Sequence, residues 1–465
     1  MQNAAEVPAT AEAGTVFARR ARLTDGWARD ITLRIESGRI TAIDIGVSRP
    51  PGAIAVDTLL PALGNLHSHA FQRAMAGMTE RKQAGQDSFW TWRTLMYAFL
   101  ERLTPEHIEA IAAQVFLEML EAGYAAVGEF HYLHHQPDGS PYNDLAETGA
   151  RIAAAAAETG IGLTLLPVLY THGGAGCQPV EGGQRRFANS PDRFARLVES
   201  TRSAVSALPP DTVVGIAPHS LRATDPDGLT ATVTAHPVGP VHIHIAEQTR
   251  EIEQIEAWLR ARPVEWLLAN QSVDRRWCLV HATHMTPDEI DGAARSGAVA
   301  GLCPITEANL GDGVFEGPRY LAAGGGFGIG SDSNVRIALG EELRMLEYSQ
   351  RLRDRARNVL VPREGSVGET LYLGAAAGGA QALGRGAGTL ATGSLADLVA
   401  IDGSDPSLAA LSDGQLLDGL CFAAGDRVVT DVWSAGRHVI RSGRHPRREE
   451  IRVRYARAVS DLINP

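Results

Sequence analysis

Cysteine is scarce in this chain, and the cysteines that occur show no pairing pattern. Cys177, Cys278, Cys303 and Cys421 are scattered over 465 residues without a C-x-x-C pair. Disulfide frameworks belong to short, cysteine-dense chains, so free thiols and a reducing compartment are expected. The first residues, MQNAAEVPATAEAG, also lack the basic start and apolar run of a secretory signal. The sequence therefore predicts a cytoplasmic protein.

Long apolar runs and an excess of basic residues are also missing. No stretch of ~18 consecutive apolar residues occurs, so no membrane span is expected. Acidic residues outnumber basic ones, 54 against 43, and the net charge is −11. This balance argues against general affinity for nucleic acid or anionic membranes, although local arginines can still bind a small anion. The 44% hydrophobic and 21% charged residues exclude a disordered or collagen-like chain.

The middle of the chain alternates short apolar runs with long amphipathic segments. Between Leu60 and Asp332 the runs number eight: LPALGNLH, YAAVGEF, GLTLLPV, TVVGIAP, VHIHIA, WCLVHA, AVAGLCP and GFGIGSD. Helix-start signals, in which Ser or Thr precedes Pro, occur at Thr104, Ser190 and Thr286. Eight strands alternating with helices predict an α/β fold, a parallel (β/α)8 TIM-type barrel. A doubly wound sheet is the rival, but no G-x-G-x-x-G follows any strand.

The two ends of the chain resemble each other more than they resemble the middle. The segment Asp30 to Asp44 alternates apolar and polar residues around Ser-Gly-Arg, which is a β-hairpin pattern. Segments 394–402 and 428–443 repeat that pattern near the other end. Neither end has enough strands for a core of its own, so the two are expected to form one small composite β-sandwich domain. The predicted domains are 1–58 plus 386–465 for the sandwich and 59–385 for the barrel.

Histidines cluster at the ends of the predicted strands. His67 and His69 form an H-x-H pair whose imidazoles share one side of a strand, since strand side chains have a period of two. A lone strand-end histidine usually packs, and Asp332 alone would be read as a helix cap. However, H-x-H, H-x-x-E at His244 to Glu247, a sixth-strand histidine and Asp332 occur in order. Because barrel active sites form at the carboxyl ends of strands, this combination indicates a zinc-type metal site.

Several motifs together carry a family resemblance. GNLHSHAFQR, HIHIAEQ, LVHATH and GSDSN resemble the deaminase branch of the amidohydrolase superfamily over nearly the whole chain. LHSHAFQRAMAGMTER, Trp92-Arg93 and CPITEANLGDG resemble the N-formimidoyl-L-glutamate deiminase family of bacterial histidine degradation. The resemblance implies one zinc ion per chain, a homodimer and a small dicarboxylate substrate. It also implies hydrolysis of N-formimidoyl-L-glutamate to N-formyl-L-glutamate and ammonia.

The resemblance also assigns roles to individual residues. The implied metal ligands are His67, His69, His244 and Asp332. The implied catalytic residues are Glu247, His281 and Asp332. The implied substrate contacts are Gln72, Arg93, Tyr132, His219 and Arg222. For His281, service as a fourth histidine ligand stays open, and His219 can be read as either a substrate contact or a ligand.

The residue types fit this chemistry. Glu247 can move a proton from water to the departing nitrogen, although a first-turn helix glutamate can also serve the dipole alone. Arg93 and Arg222 can pair bidentately with two substrate carboxylates. One alternative is a deaminase of a purine or related aromatic base, which would need no such arginine pair. A second alternative is a non-catalytic barrel, whose signature would be lost metal ligands.

Overall fold

The middle of the chain folds into a closed barrel of parallel strands. The structure is a computed structural model that describes residues 14–80, 96–97, 99–361 and 364–464. Two sheets pair in parallel register, and parallel bridges at Ser68–Asp332 and Ile216–Val241 join them into a ring. In chain order the barrel strands are Leu63–Ser68, Tyr124–His131, Gly162–Leu169, the two-part strand Val213–Val214 and Ala217–Pro218, Val241–Ile245, Trp277–His281, Val299–Leu302 and Gly326–Ile329. The predicted (β/α)8 barrel is confirmed.

Helices connect and surround the barrel strands. The described α-helices up to the terminal segment are Pro105–Glu121, Glu147–Thr159, Pro191–Ala204, Pro226–Ala235, Thr249–Leu259, Pro263–Asn270, Pro287–Ser296, Pro304–Leu310, Gly317–Ala322, Leu339–Asp354 and Val367–Ala382. The predicted starts are confirmed at Thr104, Ser190 and Thr286, where each side chain accepts a hydrogen bond from a backbone N–H three residues on. Among the described residues, no helix has both the length and the apolar composition to span a bilayer.

The two chain ends build one seven-stranded sheet. Its strands are Gly14–Leu23, Gly26–Glu36, Arg39–Ile45, Ile54–Pro61, Leu398–Ile401, Val429–Ser434 and Arg437–Ile440. Side chains from both ends share one core, in which Ile31 and Leu33 belong to the same apolar cluster as Leu398 and Trp433. The predicted composite, sandwich-like β domain is confirmed. Short helices Asp413–Gly419, Leu420–Ala424 and Asp426–Val428 lie within its C-terminal part.

The hairpin between the second and third strands of this sheet turns at Ser37 and Gly38. Both residues have positive φ, 49° and 79°. Glycine suits the second position because a Cβ on Gly38 would lie 2.9 Å from the Ala435 carbonyl oxygen. The hairpin predicted from Asp30 to Asp44 is therefore confirmed, with the turn at the expected residues.

Contacts across the predicted boundaries tie the two parts of the molecule together. Strand Ile54–Pro61 pairs with Gly14–Leu23 and with Leu398–Ile401, so it belongs to the terminal sheet along its whole length. The last helix, Arg448–Ile463, instead packs on the barrel, where Tyr455 Oη donates to the Arg73 carbonyl oxygen at 3.3 Å. The domain boundaries at residues 58 and 385 stay predictions.

Candidate active site

Three histidines and one aspartate meet at the carboxyl ends of the barrel strands. His67 is in the first strand and His69 directly follows it, His244 is in the fifth strand, and Asp332 follows the eighth. Each of the four offers one atom that could bind a metal ion, an imidazole nitrogen or a carboxylate oxygen, and these four atoms all lie within 4.8 Å of one another. The Nε2 atoms of His69 and His244 lie 3.2 and 3.1 Å from His67 Nε2. Asp332 Oδ1 lies 3.2 Å from His69 Nε2.

Hydrogen bonds on the far side of two rings determine what these Nε2 atoms can do. His69 Nδ1 lies 3.0 Å from the Phe130 carbonyl oxygen, and His244 Nδ1 lies 3.2 Å from the His219 carbonyl oxygen. A carbonyl oxygen only accepts, so each Nδ1 carries the hydrogen and each neutral ring presents a lone pair at Nε2. Lone pairs and a carboxylate converging on one point repel unless a cation lies between them. The residues therefore fit a metal ion.

Burial holds these histidines in the protonation state that metal binding requires. Burial lowers the pKa of His67 to about 3 and also lowers the pKa values of His69 and His244. Burial alone would raise the pKa of Asp332, but the hydrogen bond with His67 and the neighbouring imidazoles bring it below its ordinary value. Neutral imidazoles with an ionised carboxylate are the deprotonated donors of a metal site.

Glu247 and His281 lie beside this set. Glu247 follows the fifth strand, and its Oε1 lies 3.8 Å from Nε2 of His281, the last residue of the sixth strand. His281 Nε2 is also 3.9 Å from Asp332 Oδ2, so the imidazole faces two carboxylates. The Glu247 backbone N–H donates to Glu251 Oε2 at 3.0 Å, which anchors the turn that carries Glu247.

The electrostatics of this pair favour proton transfer. Burial raises the pKa of Glu247, and the charges of His281 and Arg222 offset only part of that rise. Burial would lower the pKa of His281, but Glu247 and a hydrogen bond to Glu307 raise it to about 10. A carboxyl group that can hold a proton beside a cationic imidazole is a candidate acid–base pair.

An open cavity of about 600 Å³ lies above the donor set formed by His67, His69, His244 and Asp332. The lining residues are His69, Gln72, Met96, Tyr97, Tyr132, Tyr170, Phe187, His219, Arg222, His244, Glu247, His281, Leu310, Asp332 and Ser333. Gln72 Nε2 donates to Tyr132 Oη at 2.7 Å, and Gln72 Oε1 meets no donor among the described residues. Arg222 Nη2 lies 3.8 Å from Glu247 Oε2, which brings a buried guanidinium to the reacting end of the cavity.

The predicted site residues therefore gather in one place, with one exception. Gln72, Tyr132, His219 and Arg222 line the cavity together with Glu247, His281, His69, His244 and Asp332. His67 does not line it but contacts this group, with its Nε2 3.2 Å from that of His69. Arg93 lies outside the described residues. Two other histidines of barrel strands point elsewhere: His131, at the end of the second strand, bonds Thr148 Oγ1, and His242, near the start of the fifth, bonds the Ala382 carbonyl oxygen. His281 is not part of the four-residue donor group but forms a second group with Cys303 and Glu307.

Some site residues carry weak sequence signals. Tyr170 directly follows the third barrel strand, so the strand-end rule would have found it. Phe187 follows a short helix in a long connection, and no local pattern marks it. Glu307 lies inside CPITEANLGDG, but its contact with His281 joins residues 26 positions apart. Only the fold reveals that contact.

Comparisons with known proteins agree with the geometry. A model of the amidohydrolase family matches residues 58–439. The chain belongs to the amidohydrolase family. A second model, described as the N-terminal domain of formimidoylglutamate deiminase HutF, matches residues 14–53. The family resemblance that the sequence motifs predicted is confirmed.

Individual proteins and solved structures are similar to this chain over most of its length. The formimidoylglutamate deiminase of Pseudomonas aeruginosa is 50% identical over 452 residues, covering 97% of this chain and 99% of that protein. A 5-methylthioadenosine/S-adenosylhomocysteine deaminase of Natronomonas pharaonis is 28% identical, covering 85% of this chain and 84% of that protein. The crystal structure of an amidohydrolase from Brucella melitensis has a TM-score of 0.93 at 49% identity, covering 97% of this chain and 100% of that one. An adenosine deaminase from Xanthomonas campestris, solved with bound zinc, has the same fold, with a TM-score of 0.78 at 21% identity over 97% and 98% of the two chains.

Proposed function

We propose that this chain hydrolyses N-formimidoyl-L-glutamate to N-formyl-L-glutamate and ammonia, a step of histidine degradation. The observation that carries the proposal is 50% identity, over 97% of the chain, to a formimidoylglutamate deiminase. The cavity supports it independently, because a buried acid–base pair and a buried arginine surround one donor set. The substrate is a linear amidine with two carboxylates, and its reacting carbon needs both an activated water and a proton for the leaving nitrogen.

We propose His67, His69, His244 and Asp332 as the ligands of one divalent ion, zinc. Three imidazoles and one carboxylate make a donor set that zinc accepts in catalytic sites with an open position. When bound, such an ion lowers the pKa of water from ~15.7 to about 7, which makes hydroxide available at neutral pH. Hydrogen bonds from Nδ1 of His69 and Nδ1 of His244 to backbone carbonyl oxygens would hold the Nε2 lone pairs of these residues in place for such an ion.

Glu247 is proposed as the proton shuttle. Its carboxylate accepts a proton from the attacking water, and the new C–O bond makes a tetrahedral carbon that bears two nitrogens. The terminal nitrogen of the amidinium substrate already carries two hydrogens, and the same carboxyl group donates that proton to it as the C–N bond breaks and ammonia leaves. The carbonyl group of formylglutamate forms as the hydroxyl proton passes to Asp332 and then to solvent. The raised pKa of Glu247 suits this role, because a more basic carboxylate accepts the water proton more readily.

His281 is proposed to stabilise the negative charge that develops on the attacking oxygen. With a pKa raised to about 10, its imidazole is cationic at neutral pH and donates from Nε2. Asp332 is proposed to accept a proton from the nucleophilic water in addition to binding metal. Its Oδ2 lies 3.9 Å from His281 Nε2, close enough for the pair to align the water between them.

Substrate recognition is proposed to combine one charge pair with several polar contacts. Arg222 would pair with one carboxylate of the substrate, and Arg93 is proposed for the other. Gln72 and Tyr132 present an amide and a hydroxyl to the same cavity, and His219 lies on its wall. These groups hold the glutamate portion away from the donor set, so that the formimidoyl group reaches Glu247.

The purine alternative has less support. The 5-methylthioadenosine/S-adenosylhomocysteine deaminases of Natronomonas pharaonis and Nitratidesulfovibrio vulgaris are only 28% and 27% identical to this chain. The buried guanidinium of Arg222 beside Glu247 would face an uncharged ring in such a substrate.

Cytoplasmic location and homodimeric assembly stay predictions. Light scattering of the purified protein measures its oligomeric state.

An ammonia-release assay tests the proposal. The panel is N-formimidoyl-L-glutamate, N-formimidoylglycine and adenosine, each with enzyme as purified, with chelator-treated enzyme and after zinc is returned. We expect rapid release from formimidoylglutamate only, loss after chelation and recovery with zinc. His67→Ala should release no ammonia in this assay and should contain no metal by elemental analysis. Turnover of adenosine without turnover of formimidoylglutamate would refute the proposed substrate.

A further inference from the structure

His281 is held by a contact on the side of its ring that faces away from the cavity. It is the last residue of the sixth barrel strand and has a left-handed backbone, with φ 68°. Its Nε2 faces Glu247 and Asp332, while its Nδ1 lies 3.3 Å from Glu307 Oε1. Both His281 and Glu307 are buried. The ring therefore connects the reacting groups with a carboxylate that does not line the cavity.

Glu307 is itself anchored by the backbone. The Cys303 N–H donates to Glu307 Oε1 at 2.8 Å, across the start of the helix Pro304–Leu310. One carboxylate oxygen thus accepts from both the backbone and the imidazole. Because this oxygen acts as an acceptor, the contact requires hydrogen on Nδ1 of His281.

We propose that Glu307 is a positioning residue for His281. It holds the hydrogen on Nδ1 and the ring in the orientation that turns Nε2 toward Glu247 and Asp332. Without it, the imidazole can rotate about its side-chain bonds, and its Nε2 then no longer faces the attacking oxygen. The kinetic part of this inference rests on the proposed function, whereas the state of the ring does not.

A matched pair of substitutions separates positioning from support of the fold. Glu342 is another buried carboxylate beside the same helix, and its Oε2 accepts from the Ile305 N–H at 2.9 Å. Glu342 has no hydrogen bond or ion pair with His281 among the described residues. Glu307→Leu and Glu342→Leu therefore each remove one anchor of that helix, but only the first removes a contact to the imidazole. Glu307→Gln keeps an oxygen that can accept both hydrogen bonds.

The experiment combines kinetics, metal content and nitrogen NMR of histidine-labelled zinc enzyme. For Glu307→Leu we expect kcat to fall about 10- to 100-fold, the usual cost of losing an outer orienting partner, with KM and metal content unchanged. Glu307→Gln should recover most of kcat, and Glu342→Leu should keep the wild-type kcat. The His281 resonances should show hydrogen on Nδ1 in the wild type and in Glu307→Gln, and a changed ring state in Glu307→Leu.

Several results would overturn the inference. One is a Glu307→Leu enzyme with wild-type kcat and unchanged His281 resonances. Another is an Nδ1 without hydrogen in the wild type, which can be observed even if the leucine variant does not fold. A third is a second metal ion per chain that disappears with Glu307→Leu, since Glu307 would then be a ligand. A wild type that fails to act on formimidoylglutamate yet keeps the Nδ1 hydrogen would refute the proposed function alone.

Discussion

Three residues at the carboxyl ends of barrel strands have backbone conformations that L-amino acids rarely adopt. Ala246, His281 and Asp332 have φ values of 53°, 68° and 45°. Each follows or ends a barrel strand, where the left-handed turn redirects the chain and brings the functional side chains into one cavity. Such conformations cost of order 1–3 kcal/mol each and persist where the surrounding structure enforces them. The site is therefore built at some expense of stability.

Glu247 gives the sharpest test at the scale of one residue. Glu247→Gln keeps the shape of the side chain but cannot shuttle a proton. We expect kcat to fall by ~10²-fold or more while metal content stays at the wild-type level. Steady-state ammonia release and elemental analysis measure the two quantities. Glu253→Gln, an exposed change on the following helix, is the control. A Glu247→Gln enzyme with wild-type turnover would make Glu247 structural.

Arg222 tests how the substrate is recognised. Truncating one partner of a buried charge pair typically costs ~2–5 kcal/mol, so Arg222→Met should strongly lower kcat/KM for formimidoylglutamate. Formimidoyl derivatives of 2-aminobutyrate and of 4-aminobutyrate each lack one carboxylate. For the analogue that lacks the carboxylate bound by Arg222, the same substitution should lower kcat/KM much less. Exposed Arg196→Met serves as the control. Equal losses on all three compounds would mean that Arg222 supports the fold instead.

At the scale of strands and helices, close packing holds the metal-type donors in register. The eighth strand ends beside the first, and a Cβ on Gly330 would lie 2.7 Å from the His67 carbonyl oxygen and 2.8 Å from His67 Cβ. Gly328, two residues earlier, leaves just as little room, because a Cβ there would overlap Leu66 Cδ2 and would lie 2.8 Å from the Gly379 backbone nitrogen. The absence of a side chain at Gly330 therefore sets the distance between His67 and Asp332.

Gly330→Ala should disturb the donor set without touching a ligand. The added methyl group must displace the first strand at His67, and overpacking of this kind typically costs ~1–3 kcal/mol. We expect a lower thermal midpoint and reduced metal content. Gly326→Ala is the matched control on the same strand, because a Cβ there meets no heavy atom within 4 Å. Full metal content in Gly330→Ala, with the stability of the control, would contradict this account of the packing.

Most of the barrel could be predicted from the sequence, for a physical reason. Parallel strands are covered on both faces, so they appear as continuous apolar runs such as GLTLLPV and WCLVHA. The fourth barrel strand is harder to predict from the sequence, because it is broken into Val213–Val214 and Ala217–Pro218. A Cβ on the intervening Gly215 would lie 2.6 Å from the Pro240 carbonyl oxygen. That approach is a tertiary effect, and the apolar run alone does not encode it.

The site divides in the same way. Ligand candidates at strand ends could be predicted, because the ends of parallel strands meet at one rim. The pairing of Gln72 with Tyr132 joins residues 60 positions apart, and the contact of His281 with Glu307 depends on the turn after the seventh strand. Such contacts follow from loop geometry and not from local pattern. The reacting residues can therefore be predicted from the sequence, whereas most of the residues that orient them cannot.

At the scale of the whole molecule, buried ion pairs join the barrel to the terminal sheet. Asp211 accepts from Arg437 at 2.6 Å and from Arg385 at 3.1 Å, and Arg385 also pairs with Asp397. His445 adds a neutral contact, as its Nε2 donates to the Thr159 carbonyl oxygen at 3.0 Å. The C-terminal segment is held to the barrel through both kinds of contact.

Acid should lower stability in a defined pH window, both at this attachment and in the fifth barrel strand, which carries His242. Burial lowers the pKa of His445 to about 4, and burial likewise lowers that of His242 to about 4, whereas both titrate near 6.5 when unfolded. A lowered folded pKa means that stability is complete above pH 6.5 and declines as the pH falls toward 4. Each histidine accounts for up to about 3 kcal/mol of that decline, from ~1.36 kcal/mol per pKa unit.

Thermal unfolding from pH 7 to pH 4 measures the effect. His445→Gln keeps a donor for the Thr159 carbonyl oxygen and cannot be charged, so its midpoint should fall less steeply than that of the wild type. Replacement of the half-exposed His107 by Gln should leave the slope unchanged. If wild type and His445→Gln have the same slope, then His445 does not titrate in this window.

Identification of the products of one reaction tests the central claim most directly. The tetrahedral carbon bears a terminal nitrogen and the glutamate nitrogen, and the one that receives the proton from Glu247 leaves. The proposed contact of Arg222 with the glutamate portion would place the terminal nitrogen nearest Glu247. Mass spectrometry of wild-type enzyme with N-formimidoyl-L-glutamate should therefore find N-formyl-L-glutamate with one equivalent of ammonia. Formamide and free glutamate without formylglutamate would contradict the account.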